Sequence, residues 1–183
     1  MIEIGKLNLL KVSRQSPHGF YLVSGEVEVL LPNKYVPDGL EPGDEIEVFV
    51  YKDSEDRPVA TTLTPLGMLG DFVCLRVKDV SPIGAFMNWG LEKDLLVPLS
   101  EQHRKMKLGE KHVVKIAIDP KTERIVGIAK LGGFFSHDLS GIDEGDKVDA
   151  LIYEITDLGY MAIINNTYKG MIYKNEVFKP IEI

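Results

Sequence analysis

SPIGAFMNWG, Ser81–Gly90, repeats the plan of SPHGFYLVSG, Ser16–Gly25. Each runs Ser-Pro-x-Gly, then mostly apolar residues, then Gly at the tenth place, and the copies stand 65 residues apart in a chain of 183. Pro presets φ and Gly tolerates backbone that other residues resist, so each Ser-Pro-x-Gly reads as a tight turn between strands. A recurrence at fixed spacing points to a recurring structural unit.

The unit around the second copy is the clearer. DFVCLRVKDV is an alternating strand, SPIG the turn, AFMNWG a second strand and KDLLVPL a third. SEQHRKM opens on a capping serine with an acid in its first turn and predicts a short helix. HVVKIAID and RIVGIAK complete five strands. The first unit has the same order in KLNLLKV, GFYLVS, EVEVLLP, EIEVFVY and RPVATT, with a longer irregular loop at Asn33–Asp44 in place of the helix. From Asp146 the order starts again as KVDALIYEI, the turn TDLG, YMAIIN and YKGMIY, then stops before strands four and five. Five short strands with a helix between the third and fourth is the order of an OB-type barrel. The expected fold is therefore all-β: tandem five-stranded OB-type (S1-like) barrels over 1–64 and 65–135, and an incomplete third over 136–183. Phe134 and Phe135 are expected to form a packed seam between units.

Composition permits a packed core, with 44% hydrophobic and 27% charged residues. There is no transmembrane run and no basic, apolar leader at the N-terminus, which predicts a cytoplasmic protein without a membrane partner. The single cysteine, Cys74, excludes an internal disulfide and a cysteine-built zinc site and reads as a small packed residue. The net charge of −7 is unevenly distributed. Residues 1–64 hold 6 Lys+Arg against 11 Asp+Glu, residues 65–135 hold 11 against 8, and residues 136–183 hold 4 against 9. Only the middle third is basic, and a polyanion partner would favour it.

With Gly84-Ala85-Phe86 and Leu95-Leu96-Val97-Pro98-Leu99-Ser100, the second unit resembles an S1-like RNA-binding domain, although Pro98 replaces the usual histidine. The tandem plan is similar to that of the bacterial conserved virulence factor B family, whose members carry a further C-terminal winged-helix domain. The resemblance implies single-stranded RNA, or alternatively DNA, as partner, and a role in RNA fate or translation. It implies an aromatic just before the turn glycine and another two residues after it. These positions fall on His18 and Tyr21, on Ile83 and Phe86, and on Leu158 and Met161. The histidine position falls on Pro32, Pro98 and Tyr173. An Asp and an Arg flanking the last hairpin fall on Asp53 and Arg57, and on Asp119 and Arg124.

The physical basis is that an aromatic or guanidinium plane covers a base while nearby cations hold phosphates. Phe86 would supply the platform in the middle unit and Arg124 a stacking or phosphate contact, with Lys93, Arg104, Lys105 and Lys107 as a positive rim. The basic middle unit is expected to dominate. Each residue has a plainer reading: Phe86 as core, His103–Lys107 as a solvated helix face, His18 as a loop residue. Trp89, the sole tryptophan, reads as a plug at a barrel end. Phosphate-loop, dinucleotide and nucleophile-elbow motifs are missing, and the four histidines lack metal-ligand spacing. These observations predict no enzyme, no cofactor and no metal. The alternative to RNA binding is a non-catalytic protein-interaction scaffold. The incomplete third unit predicts either a partner chain or neighbouring unit along Lys169–Tyr173, or a missing C-terminal domain.

Overall fold

The repeated turn is built the same way three times in the computed structural model, which describes residues 1–178 and 181. The hydroxyl of Ser16 donates to Gly19 O at 2.9 Å, that of Ser81 to Gly84 O at 3.3 Å, and that of Thr156 to Gly159 O at 3.0 Å. Each glycine lies against the backbone of the next strand. A Cβ on Gly19 would stand 2.0 Å from Leu31 O, on Gly84 2.3 Å from Val97 O, and on Gly159 2.2 Å from Ile172 O. The turn requires Gly because that space belongs to a neighbouring carbonyl.

These turns join β1 (Leu7–Ser16) to β2 (Gly19–Ser24), β6 (Phe72–Ser81) to β7 (Gly84–Asn88), and β11 (Ala150–Ile155) to β12 (Gly159–Ile164). The strand entering each turn carries a β-bulge, at Val12/Arg14, Val77/Asp79 and Ile152/Glu154. A bulge bends the strand and increases its twist, which lets a short sheet curl toward closure.

The fold is all-β. With β3 (Val27–Pro32), β4 (Glu45–Lys52) and β5 (Pro58–Thr61), the first five strands form a closed barrel in the order β1-β2-β3-β5-β4. Closure rests on one parallel pairing, Leu30 with Val59. The same order recurs in the next sheet, β10-β9-β6-β7-β8, built with β8 (Leu95–Pro98), β9 (Lys111–Ile118) and β10 (Ile125–Ile128). Here the pairing that would close the ring is missing, and the barrel is nearly closed: a Cβ on Gly127 of β10 would meet Val97 of β8 at 2.8 Å. The third sheet is β11-β12-β13, with β13 spanning Tyr168–Tyr173.

The expected helix at Ser100–Met106 is replaced by a three-residue 3-10 turn, Leu99–Glu101. Gln102 is the physical reason. Its side chain is 7% exposed; Nε2 donates to Val97 O at 2.9 Å, and Oε1 accepts the Met106 amide at 3.0 Å. These bonds draw the chain back toward β8 in place of a helical ladder. The first barrel has a 3-10 turn at the same place, Asn33–Tyr35, and the third sheet another at Lys174–Glu176.

The chain divides into two compact units. The first contains residues 1–69, 89–94 and 118–125. Its barrel interior is filled by Leu10, Val12, Phe20, Leu22, Val29, Leu31, Val48 and Val50. Phe49 points away from this interior yet is 0% exposed, because Trp89 packs edge-on against it with ring centres 5.7 Å apart. Trp89 is thus buried on the side of β4 away from the barrel interior, its indole N–H donating to Lys93 O at 2.6 Å. The acids of EVEV and EIEV (Glu26, Glu28, Glu45 and Glu47) are exposed.

The second unit contains residues 70–88, 95–117 and 126–183. Within it Phe72, Val113, Leu131 and Ile163 form a core on which Leu151, Tyr153 and the half-buried Cys74 pack. Phe135 joins that core, stacked on Phe72 at 5.7 Å. Phe134 does not: it is 39% exposed, so the expected aromatic seam is carried by Phe135 alone. Contact with the third sheet is made through β11 and β12. Lys169–Tyr173 lies in β13, the sheet's edge strand.

Candidate nucleic-acid interface

Strand register makes the three sets of predicted positions directly comparable. Gly19 pairs with Pro32, Gly84 with Pro98 and Gly159 with Tyr173. The position before each turn glycine is exposed: His18, Ile83 at 61% and Leu158 at 67%. The position two residues after it lies on the outer side of β2, β7 or β12. Tyr21 and Phe86 are half-buried there, and Met161 is 8% exposed. Tyr21 pairs with Leu30 and Phe86 with Leu96, so each ring lies beside an aliphatic neighbour on the adjacent strand. Phe86 is therefore neither free in solvent nor part of the barrel interior.

The register counted back from each turn sets what stands across from each ring on the preceding strand, before the bulge shifts it. Arg14 faces Tyr21, Asp79 faces Phe86 and Glu154 faces Met161. Only the first is a cation. Its guanidinium carbon lies 3.7 Å from the Tyr21 ring centre, and Nη2 reaches Glu28 at 3.1 Å. Sequence reasoning missed Arg14. The available signal was its place in the register, two residues before Ser16 and across the hairpin from the aromatic position.

The two Asp–Arg loops meet within the first compact unit. Arg57 pairs with Asp53 at 2.8 Å and with Glu55 at 2.9 Å. Burial opposes ionisation of Asp53, but the Arg57 amide and guanidinium outweigh it and hold the carboxyl below its usual range. Asp119 and Arg124 do not pair through their side chains. Asp119 accepts the Lys121 amide at 3.0 Å and the Thr122 hydroxyl at 2.7 Å, which fixes its own turn. Arg124 makes a bidentate pair with Asp56, both contacts at 2.7 Å, inside the first compact unit. Hydrogen bonds from Arg124 depress the Asp56 pKa. Lys93 donates to the carbonyls of Lys52 and Asp53 at 3.1 and 2.8 Å, which turns it away from a role on the rim.

Lys105 and Lys107 are exposed, and Arg104 pairs with Glu110 at 3.0 Å. Glu110 also meets His112 Nε2 at 2.9 Å and accepts the Lys107 amide at 3.0 Å. The His112 contact first, then the Lys107 amide and Arg104, lowers its pKa to about 2. Tyr173 is 50% exposed. No cluster of metal-ligating side chains occurs among the described residues.

Comparison with known proteins bears on the fold that carries these positions. The S1 domain family matches residues 4–63, the closed barrel that carries Arg14 and Tyr21. The uncharacterized protein YitL of Bacillus subtilis is 35% identical over 94 residues, which cover 51% of this chain and 32% of YitL. A multidomain protein with nucleic acid binding domains from Streptococcus pneumoniae shares the fold, with a TM-score of 0.61 at 18% identity, over 96% of this chain and 64% of that one. The chain spans about a third of the curated relative's length. Its first sixty-odd residues are thus similar to an S1 domain in sequence, and nearly all of it is similar in fold to a multidomain protein with nucleic acid binding domains.

Proposed function

We propose that this protein binds single-stranded RNA on the outer strand faces of its barrels, and acts on RNA fate or translation in the cytoplasm without catalysing a reaction. The observation that carries the reading is the Arg14–Tyr21 pair on the barrel that matches the S1 domain family. Tyr21 offers a ring for a base, His18 stands exposed at the adjoining turn, and the Arg14 guanidinium lies over the ring. Stacking on such a ring contributes ~1–3 kcal/mol per base and tolerates any sequence.

The first barrel fits this role better than the basic middle one. Across from Phe86 stands Asp79, which repels phosphate, where Tyr21 has Arg14. Phe86, Ile83, Lys105 and Lys107 would then form a weaker site of their own on the second barrel. Tandem faces raise the effective concentration of each for one RNA strand, so modest single sites suffice. The test is titration of a labelled single-stranded RNA at two salt concentrations, with Tyr21→Ala and Phe86→Ala beside the wild type. The reading predicts salt-sensitive binding that weakens more for Tyr21→Ala. The absence of binding at low salt would leave the scaffold reading.

A further inference from the structure

Within the second compact unit lies a cleft of about 850 Å³ that none of the S1-type positions lines. Its size falls within the ~300–1,000 Å³ of small-molecule sites. Its floor is apolar and aromatic: Met106, Val113, Leu131, Phe135 and Tyr153. Phe135 and Tyr153 lie with ring centres 5.9 Å apart. Its rim is basic. Arg104, Lys111 and Lys169 line it with His103 and His112, against a single carboxylate, Glu154. The chain as a whole carries −7, so three permanent cations against Glu154 and the Glu110 that pairs with Arg104 are a local inversion of its charge.

Two of those cations are uncommitted. Lys111 and Lys169 are exposed, and neither side chain makes a hydrogen bond or ion pair among the described residues. Arg104 is half-spent on Glu110, which His112 also contacts. The aromatic floor comes from a departure in the repeat. The bulged residue is Ser13 in β1 and Lys78 in β6 but Tyr153 in β11, where the bulge turns the ring onto Phe135.

We propose that this cleft is a second nucleic-acid contact, taking one nucleotide of a single-stranded RNA with its phosphate on Lys111 and Lys169 and its sugar or base over the Tyr153–Phe135 floor. The inference rests on the RNA-binding reading above. Apolar floor and anion-seeking rim together select a ligand that is both flat and phosphorylated. An acidic peptide would use the rim and leave the floor uncovered.

The test uses the whole chain and a short fluorescent oligouridylate. The double variant Lys111→Gln/Lys169→Gln changes two exposed side chains, and thermal unfolding checks that the fold is intact. Each lost phosphate contact lowers the slope of log affinity against log salt by ~0.7, or about fivefold in affinity at 0.1 M salt. The double variant is expected to bind about 25-fold more weakly there, with the slope reduced by ~1.4. The control is Lys147→Gln/Lys121→Gln, two exposed lysines outside the cleft, which should change little. Equal losses in both pairs would mean diffuse attraction and overturn the cleft. Wild-type binding that Tyr21→Ala weakens and Lys111→Gln/Lys169→Gln leaves unchanged would overturn the cleft and keep the S1-face reading. No binding by the wild type would overturn both.

Discussion

The guanidinium of Arg14 lies 3.7 Å from the centre of the Tyr21 ring and at the same time reaches Glu28 at 3.1 Å. An incoming base must share the ring with that guanidinium, or stack beyond it and use the Arg as part of the platform. Tyr21→Ala is expected to weaken RNA binding by ~1–3 kcal/mol, and Tyr21→Phe to preserve it. Glu28→Gln releases Arg14 from its carboxylate and should tighten binding at low salt. Fluorescence titration of the three variants checks the set, and Tyr21→Phe behaving like Tyr21→Ala would contradict a stacking role.

The turn glycines give a stability prediction. Gly84→Ala places a Cβ 2.3 Å from Val97 O, and Gly19→Ala places one 2.0 Å from Leu31 O. Both atoms belong to backbone that cannot yield cheaply, so each substitution should destabilise by more than ~1 kcal/mol in denaturant unfolding. Gly39→Ala has open space around its Cβ and carries only the strain of its φ of +80°, so it should cost less than either. Equal losses at the three positions would remove the close-approach argument.

How much of this was legible in the sequence differs by feature. The strand order followed from the repeated Ser-Pro-x-Gly, because turn chemistry is local and its two copies sit in alternating strand patterns. The third turn, Thr156 to Gly159, lacks the proline but keeps the hydroxyl-to-glycine bond. The missing helix was not legible: SEQHRKM has sound local helix signals, and only the burial of Gln102 against Val97 overrides them. Arg14 was legible and overlooked: counting back from the Ser16–Gly19 pair sets it across from Tyr21, before the bulge shifts the register. The pairing of Arg124 with Asp56, 68 residues away, is a tertiary fact: Arg124 stays beside Asp119, whose amide donates to its carbonyl at 2.9 Å, while its side chain turns to Asp56.

Gln102 itself is testable. Gln102→Leu keeps bulk but leaves Val97 O and the Met106 amide without the bonds they make in this structure. A buried group left unpaired costs ~1–3 kcal/mol, so unfolding should show a loss of that order. A neutral or stabilised variant would show that the segment after β8 is held by something else.

Glu110 predicts a pH dependence. Its folded pKa of about 2 lies below its ordinary 4.5, so its contribution to stability is present above pH 4.5 and is lost as pH falls toward 2. Glu110→Gln removes the titrating group. The melting temperature of the variant should therefore fall less steeply than that of the wild type between pH 4.5 and 2. Parallel curves would mean that Glu110 is not held by His112, the Lys107 amide and Arg104 in solution.

The most direct test of RNA binding on the first barrel is the affinity of the intact chain for a short single-stranded RNA at low salt, compared between wild type and a folded Tyr21→Ala variant. The account predicts measurable wild-type binding that falls as salt is raised, and a loss of ~1–3 kcal/mol on removing the ring. Unchanged affinity in the folded variant, or no binding by the wild type, would contradict it.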